Sequence, residues 1–328
     1  MIDVLLSIPI LSYVFFPTAG ASVSTSVNII FFYMTWSSLV FSHHPLEIHL
    51  SGLLVLRVIF WLIPSVVSLA FDVGVPSLAA GLKHGGRSSL PPRDARKLGG
   101  LLGLAMLNVL LWMAAEAVLG MAYTLVFKRH LFRMSTTLPL PWTVTKHCGL
   151  ILASREVLQY HVHRRVLHGN SSGVVARRHM AYAHAAPGAP CSLRVFPLAL
   201  FLHRFLPVFL PSVLIRTHML TYFLVIIITT VEETLAMSGY TFIPGIVMSG
   251  ITARTAIHYA AKGSSNYGAV GIMDRVHGTS KGRHVLEDVK READEHSVPE
   301  RSARKVGAGS NAVKDGMGSL KKRVKSSK

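Results

Sequence analysis

Residues 98–127 read LGGLLGLAMLNVLLWMAAEAVLGMAYTLVF, stand between Lys97 and Lys128, and hold one ionisable group, Glu116. A helix needs about 20 mostly apolar residues to cross the hydrocarbon core of a bilayer. This stretch exceeds that and is the clearest span of the chain. Working outward, residues 53–82 are apolar except for Arg57 and Asp72. Pro64 predicts a kink in that second span, since neighbouring groups can satisfy the carbonyl it frees. A further span is expected at residues 27–41, with an interfacial helix before it. Residues 198–214 and 218–231 flank Arg216 and read as a tight hairpin or one long bent span. In residues 234–253, Gly239, Pro244, Gly245 and Gly250 argue for a loop or a shallow re-entrant segment. The total is four or five crossings.

Composition agrees with this reading. Of 328 residues, 50% are hydrophobic and 15% charged, against roughly 25% charged in ordinary soluble proteins. No Lys or Arg precedes Arg57. The formal net charge of +18 fits positive loops against anionic headgroups, and we assign no nucleic-acid partner. Cys148 and Cys191 make neither a disulfide framework nor a thiolate metal site. The start of the chain lacks the basic n-region of a secretory leader, so its apolar run is expected to stay as an anchor. The basic residues conflict over orientation: the loop 83–97 and the segment 128–178 are both strongly basic, yet one crossing separates them. The longer segment is assigned to the cytoplasmic face. From Thr279 onward few residues are apolar and none aromatic, so that tail cannot build a core and is expected to be dispensable for folding. A short helix is expected in it near residues 285–296. The chain thus divides into N-terminal spans (1–127), a histidine-bearing domain with a membrane hairpin (128–279), and a basic tail (280–328).

The chemistry lies in the histidines. Tyr160-His161-Val162-His163-Arg164-Arg165-Val166-Leu167-His168 and Arg178-His179-Met180-Ala181-Tyr182-Ala183-His184 each contain His-x4-His. Neutral imidazole suits iron, copper or zinc, and ligands beside lipid let a metal meet a water-insoluble substrate. On a straight α-helix, however, residues five apart differ by about 140°, so His163 and His168 do not share a face, whereas His161 and His168 do. A π-bulge, or a helix ending at Gly169, would bring His163 and His168 together. Farther on come His258, Lys262-Gly263-Ser264-Ser265-Asn266-Tyr267-Gly268, Asp274 and His277-Gly278-Thr279.

The order of these elements, with Pro187, Glu233, Ser238-Gly239-Tyr240 and Pro244 between them, resembles the integral-membrane sterol desaturase and fatty acid hydroxylase superfamily over residues 118–279. The resemblance implies an all-α integral membrane fold whose cytosolic, His-lined helical cap holds a di-iron centre. It also implies that O2 hydroxylates or desaturates a lipid (sterol, fatty acid or sphingolipid), with electrons from cytochrome b5 or a similar donor, in a membrane expected to be the endoplasmic reticulum. Position by position, it makes His163 and His168 the first box of ligands, His179 and His184 the second, and His258 the third. Asn266, Tyr267, Gly268, Asp274 and Thr279 would close the site. His161, His203, His218 and His277 could complete the set. Glu232 and Glu233 are read as carboxylate ligands or partners of Arg216, at least one being in an ion pair. Where the family carries paired histidines, this chain reads Ala183-His184 and Tyr259-Ala260, and Thr255 also takes a ligand position. This leaves a second reading, a non-catalytic lipid- or partner-binding membrane protein of the same fold with a decayed metal site.

Overall fold

The computed structural model describes residues 23–92, 94–169, 173–183, 195–243 and 245–282. Among them the chain is helical, with two isolated bridges and no strand. Four helices are long and apolar enough to cross a membrane: α2 (Pro45–Gly74), α4 (Ala95–Phe127), α7 (Pro197–Leu214) and α8 (Met219–Ser238). They make this an integral membrane protein.

The expected first span, at residues 27–41, falls inside α1 (Val23–Ser42), a helix of 20 residues and about 30 Å. The second span ends earlier than expected, because Pro76 starts a separate short helix, α3 (Pro76–Gly81). Ahead of Pro64 the helix widens into a π-turn, Val58–Leu62, closed by Ile63 N–H donating to Val58 O. Residues 197–214 and 219–238 are two helices, joined through Arg216 in a left-handed conformation at φ 52°. The re-entrant loop expected over 234–253 is also corrected: α8 continues to Ser238 and α9 (Ile246–Ala260) follows. The glycines mark helix ends there, Gly239 capping α8 at φ 74° and Gly245 opening α9 at φ 92°.

Contacts fix the direction of each helix. His49, Arg57 and Asp72 along α2 meet Tyr222, Thr230 and Tyr240 in that order, so α2 and α8 run parallel. α4 runs the other way, with Trp112 under the Arg57 guanidinium and Glu116 beside His49. α7 also runs against α8, Phe205 meeting Trp112 and Phe209 meeting Phe132. At one end Arg133 N–H donates to Thr217 O and Met219 N–H to Arg133 O, tying the segment that follows α4 to the α7–α8 turn. At the other end Lys83 bonds Asp72 at 2.5 Å and lies over the Tyr240 ring, whose hydroxyl donates to Asp72 at 2.6 Å.

A fifth helix, α5 (Pro141–His161), lies against α7 and α8. Its Lys146, Arg155 and Glu156 make it too polar to read as a span, yet it leads from the Arg133 end to the opposite end. That passage resolves the conflict over basic residues. The 83–97 loop and the Arg164-Arg165 and Arg177-Arg178 pairs lie at one end, leaving Lys128, Arg129, Arg133 and Arg216 at the other.

The expected helix at 285–296, and most of the 280–328 tail, lie outside the described residues. Thr279 and Lys281 are engaged: Thr279 donates to Asp274, and Lys281 N–H donates to the Asn266 side chain. A chain truncated after Gly282 is therefore expected to keep the melting temperature of the full chain in detergent, whereas truncation after Gly278 should lower it by several degrees. Equal melting of the two truncations would show that these anchors contribute nothing.

Candidate metal centre

At its end α5 widens into a π-turn, Val162–Leu167, in which His168 N–H donates to His163 O at 2.9 Å. The wider turn undoes the 140° offset of an α-helix. His163 Nε2 and His168 Nε2 now lie 3.1 Å apart. The helix α6 (Val174–Ala183) brings His179 Nε2 to 3.1 Å from His168 Nε2. One ligand atom from each of the three lies within 4.8 Å of the others. A third π-turn, Phe201–Phe205, sets His203 with its ring 4.3 Å from that of His163. His258, near the end of α9, places its ring 4.8 Å from His163 and 5.1 Å from His168. Five imidazoles from four helical segments thus converge.

The surroundings decide which nitrogens face one another. His163 donates Nδ1–H to Tyr267 O at 2.8 Å, and His258 donates Nδ1–H to Ser265 O at 2.6 Å. In the neutral ring that leaves Nε2 as a bare lone pair. His163 Nε2 can then only accept, from His168 Nε2–H, while His179 Nε2 also points at His168 Nε2. One proton cannot satisfy two acceptors well. His203 Nε2 and His179 Nδ1 are buried without a partner among the described residues. Converging lone pairs with carbonyl-fixed tautomers are what an imidazole-bound metal requires, so the residues present fit such an ion. Burial first, then the neighbouring imidazoles, holds His163 well below the ordinary histidine range and lowers His168 to about 3 and His179 to about 4. The rings are therefore neutral and able to ligate at physiological pH.

A polar shell holds the loop that supplies those carbonyls. Asp274 accepts from Tyr267 N–H, Gly268 N–H, the Thr279 hydroxyl and the Arg254 guanidinium. Asn266, left-handed at φ 57°, bridges Arg254 O and Lys281. Glu156 accepts from Val270, Gly271 and Met273 N–H at the start of α10 (Ile272–Val276). A Cβ at Gly268 would come 2.7 Å from Glu156 Oε1, and one at Gly263 would come 2.1 Å from His168 Cε1. Only glycine lets the backbone lie against that ring.

Other residues go elsewhere. His161 and His277 pack around Tyr160, away from the cluster. His218 caps α8 at the far end by accepting from Leu220 N–H. His184 lies outside the described residues, as do Pro187 and Pro244. The ion-pair reading of Glu232 and Glu233 is corrected in its partner. Arg155 holds Glu232 through two bonds and reaches Glu233, and Arg204 holds Glu233, whereas Arg216 sits at the other end of the bundle. Thr255 and Tyr259 line the cavity beside the histidines. Sequence reasoning missed Arg155, Glu156 and Arg254, because a charge inside a mostly polar helix looks like solvated surface until its partners are placed.

The family model described as fatty acid hydroxylase matches residues 148–279, which include all five converging histidines. No solved structure matches the chain.

Metal analysis of purified variants tests this geometry. His163→Ala, His168→Ala and His179→Ala should each lose bound metal, while His161→Ala and His218→Ala retain it. Gly263→Ala, which displaces the His168 ring, should weaken metal binding by about 10- to 100-fold, as loss of outer-shell support does elsewhere. Retention of metal by His163→Ala together with its loss from His161→Ala would place the site on the wrong helical face.

Proposed function

The chain belongs to the fatty acid hydroxylase / sterol desaturase superfamily through residues 148–279, and from that premise we propose that it is a membrane-bound oxidoreductase that hydroxylates or desaturates a lipid with O2. The observation that carries the proposal is the trio His163, His168 and His179, with ligand atoms within 4.8 Å of one another at the end of a bundle of helices long and apolar enough to cross a membrane. His163, His168 and His179 would hold one iron. His203 and His258, beside His163, would hold a second, with His184 as a further ligand. Iron bound there would supply the one-electron chemistry by which O2 oxidises an unactivated C–H bond.

The chain's own residues do the rest. Tyr267 O and Ser265 O hold the proton on Nδ1 of His163 and His258, keeping each Nε2 turned inward. A cavity of about 100 Å³ adjoins the imidazoles, and Ala236, Met237 and Ile251 give it apolar lining for a hydrocarbon chain. Arg155, Arg204, Glu232 and Glu233 form its ionic wall, their charges paired so that none competes for the substrate. The basic end of the bundle, with Lys83, Arg87, Arg96, Lys97, Arg164, Arg165, Arg177 and Arg178, faces the cytosol under the positive-inside rule. A soluble or membrane-tethered electron donor such as cytochrome b5 would dock there, in the endoplasmic reticulum.

Membranes carrying the chain, supplied with a reductant and ¹⁸O2, test the proposal by lipid mass spectrometry. The expected result is ¹⁸O-labelled or newly unsaturated lipid that disappears with His168→Ala, and about two irons in each purified wild-type chain. Folded wild-type protein with less than about 0.2 metal per chain and no lipid product would replace this reading with the non-catalytic one.

A further inference from the structure

A second cavity, which the histidine centre does not use, lies at the opposite end of the bundle. It measures about 260 Å³ and sits between the first turns of α2, residues 120–125 of α4, residues 130–134 and Met219. Its walls are mostly apolar, with His44, Thr124 and His130 among the lining residues, and Met121, Met134 and Met219 offer side chains that adjust to an irregular occupant. It lies at an end of the bundle, between the first turns of α2 and the last turns of α4, two helices apolar enough to cross a membrane, which puts it within reach of lipid chains.

One deeply buried polar group borders this apolar space. His49 is 3% exposed, and its Nε2 lies 2.6 Å from Glu116 Oε2. Glu116 is already fully engaged, accepting also from Trp112 Nε1–H and the Tyr222 hydroxyl at 2.6 Å each. The other nitrogen, His49 Nδ1, takes no hydrogen bond from any described residue, and His49 lines the cavity. That nitrogen opens on the chamber, so it offers its one free hydrogen bond to an occupant. A hydroxyl suits it in either protonation state, donating to a bare Nδ1 or accepting from Nδ1–H. A carboxylate would bring a second acid close to Glu116, and a plain hydrocarbon would leave Nδ1 unsatisfied.

We propose that this cavity is a binding site for a straight-chain lipid alcohol, with the hydroxyl on His49 Nδ1 and the hydrocarbon between α2 and α4. The chamber, at about 260 Å³, matches a single aliphatic chain more closely than a bulkier fused-ring alcohol.

The test uses the full chain in detergent with a hexadecanol carrying a diazirine on its chain, the crosslinks being mapped by mass spectrometry. Label is expected on residues 120–134. Hexadecanol should displace it, while hexadecane, palmitate and cholesterol compete at least about ten-fold less well. A Cβ at Gly120 meets only Leu46 Cδ1, at 3.7 Å, so Gly120→Leu fits the helix while filling the chamber. It should cut labelling about ten-fold and leave the metal content of the same sample unchanged, which separates this site from the histidine centre. Label confined to other segments, equal competition by hexadecane, palmitate or cholesterol, or undiminished labelling of a folded Gly120→Leu protein would each overturn the proposal. The competition series in the wild-type chain decides the matter even where that variant does not fold.

Discussion

A single widened turn at the end of α5 decides where the imidazoles point. Between Val162 and Leu167 the backbone bonds five residues back, and His168 therefore comes over His163 instead of lying about 140° around the helix. With these two rings in register, His179 can reach them from α6, His258 from α9, and His203 from the π-turn in α7. A π-turn is a rare conformation that persists when its surroundings fix it. Here the Gly263 backbone lies against the His168 ring and Tyr267 O holds His163.

That arrangement depends in turn on buried charge. Arg155, Glu232, Glu233 and Arg204 form one network between α5, α7 and α8, while Glu156 and Asp274 collect the backbone N–H groups of the loop that closes the centre. Removing one partner of a buried pair typically costs about 3–5 kcal/mol, because the other charge is left uncompensated. The network therefore sets the positions of its helices firmly, and it explains why α5 is polar although it lies against the apolar spans α7 and α8. At the far end Glu116 plays the comparable part, joining His49, Trp112 and Tyr222 from three helices.

Much of this was legible in the sequence, for definite reasons. Apolar runs bounded by charge gave α4, α7 and α8 nearly as they stand, because the bilayer imposes a length. The spacing of His163 and His168 posed a choice between two helical faces and named the π-bulge that would reconcile them. What could not be read was tertiary. The role of α5 was hidden because its Arg155 and Glu156 are paired across 77 and more residues of sequence. The glycines at 239, 245 and 250 looked like a broken segment, since a helix cap and a loop share the same residue type and Gly250, inside α9, gave no sign that the helix continues through it. His203 stood in an apolar run with no neighbouring ligand, and only packing brings it to His163.

The central claim is that these imidazoles surround a metal. X-ray absorption at the metal edge of the full chain, purified from membranes, tests it most directly. The account predicts a nitrogen shell near 2.1 Å with the outer-shell scattering of several imidazole rings, reduced when His163 is replaced by alanine. A spectrum without imidazole scattering, or one unchanged in His163→Ala, would contradict it.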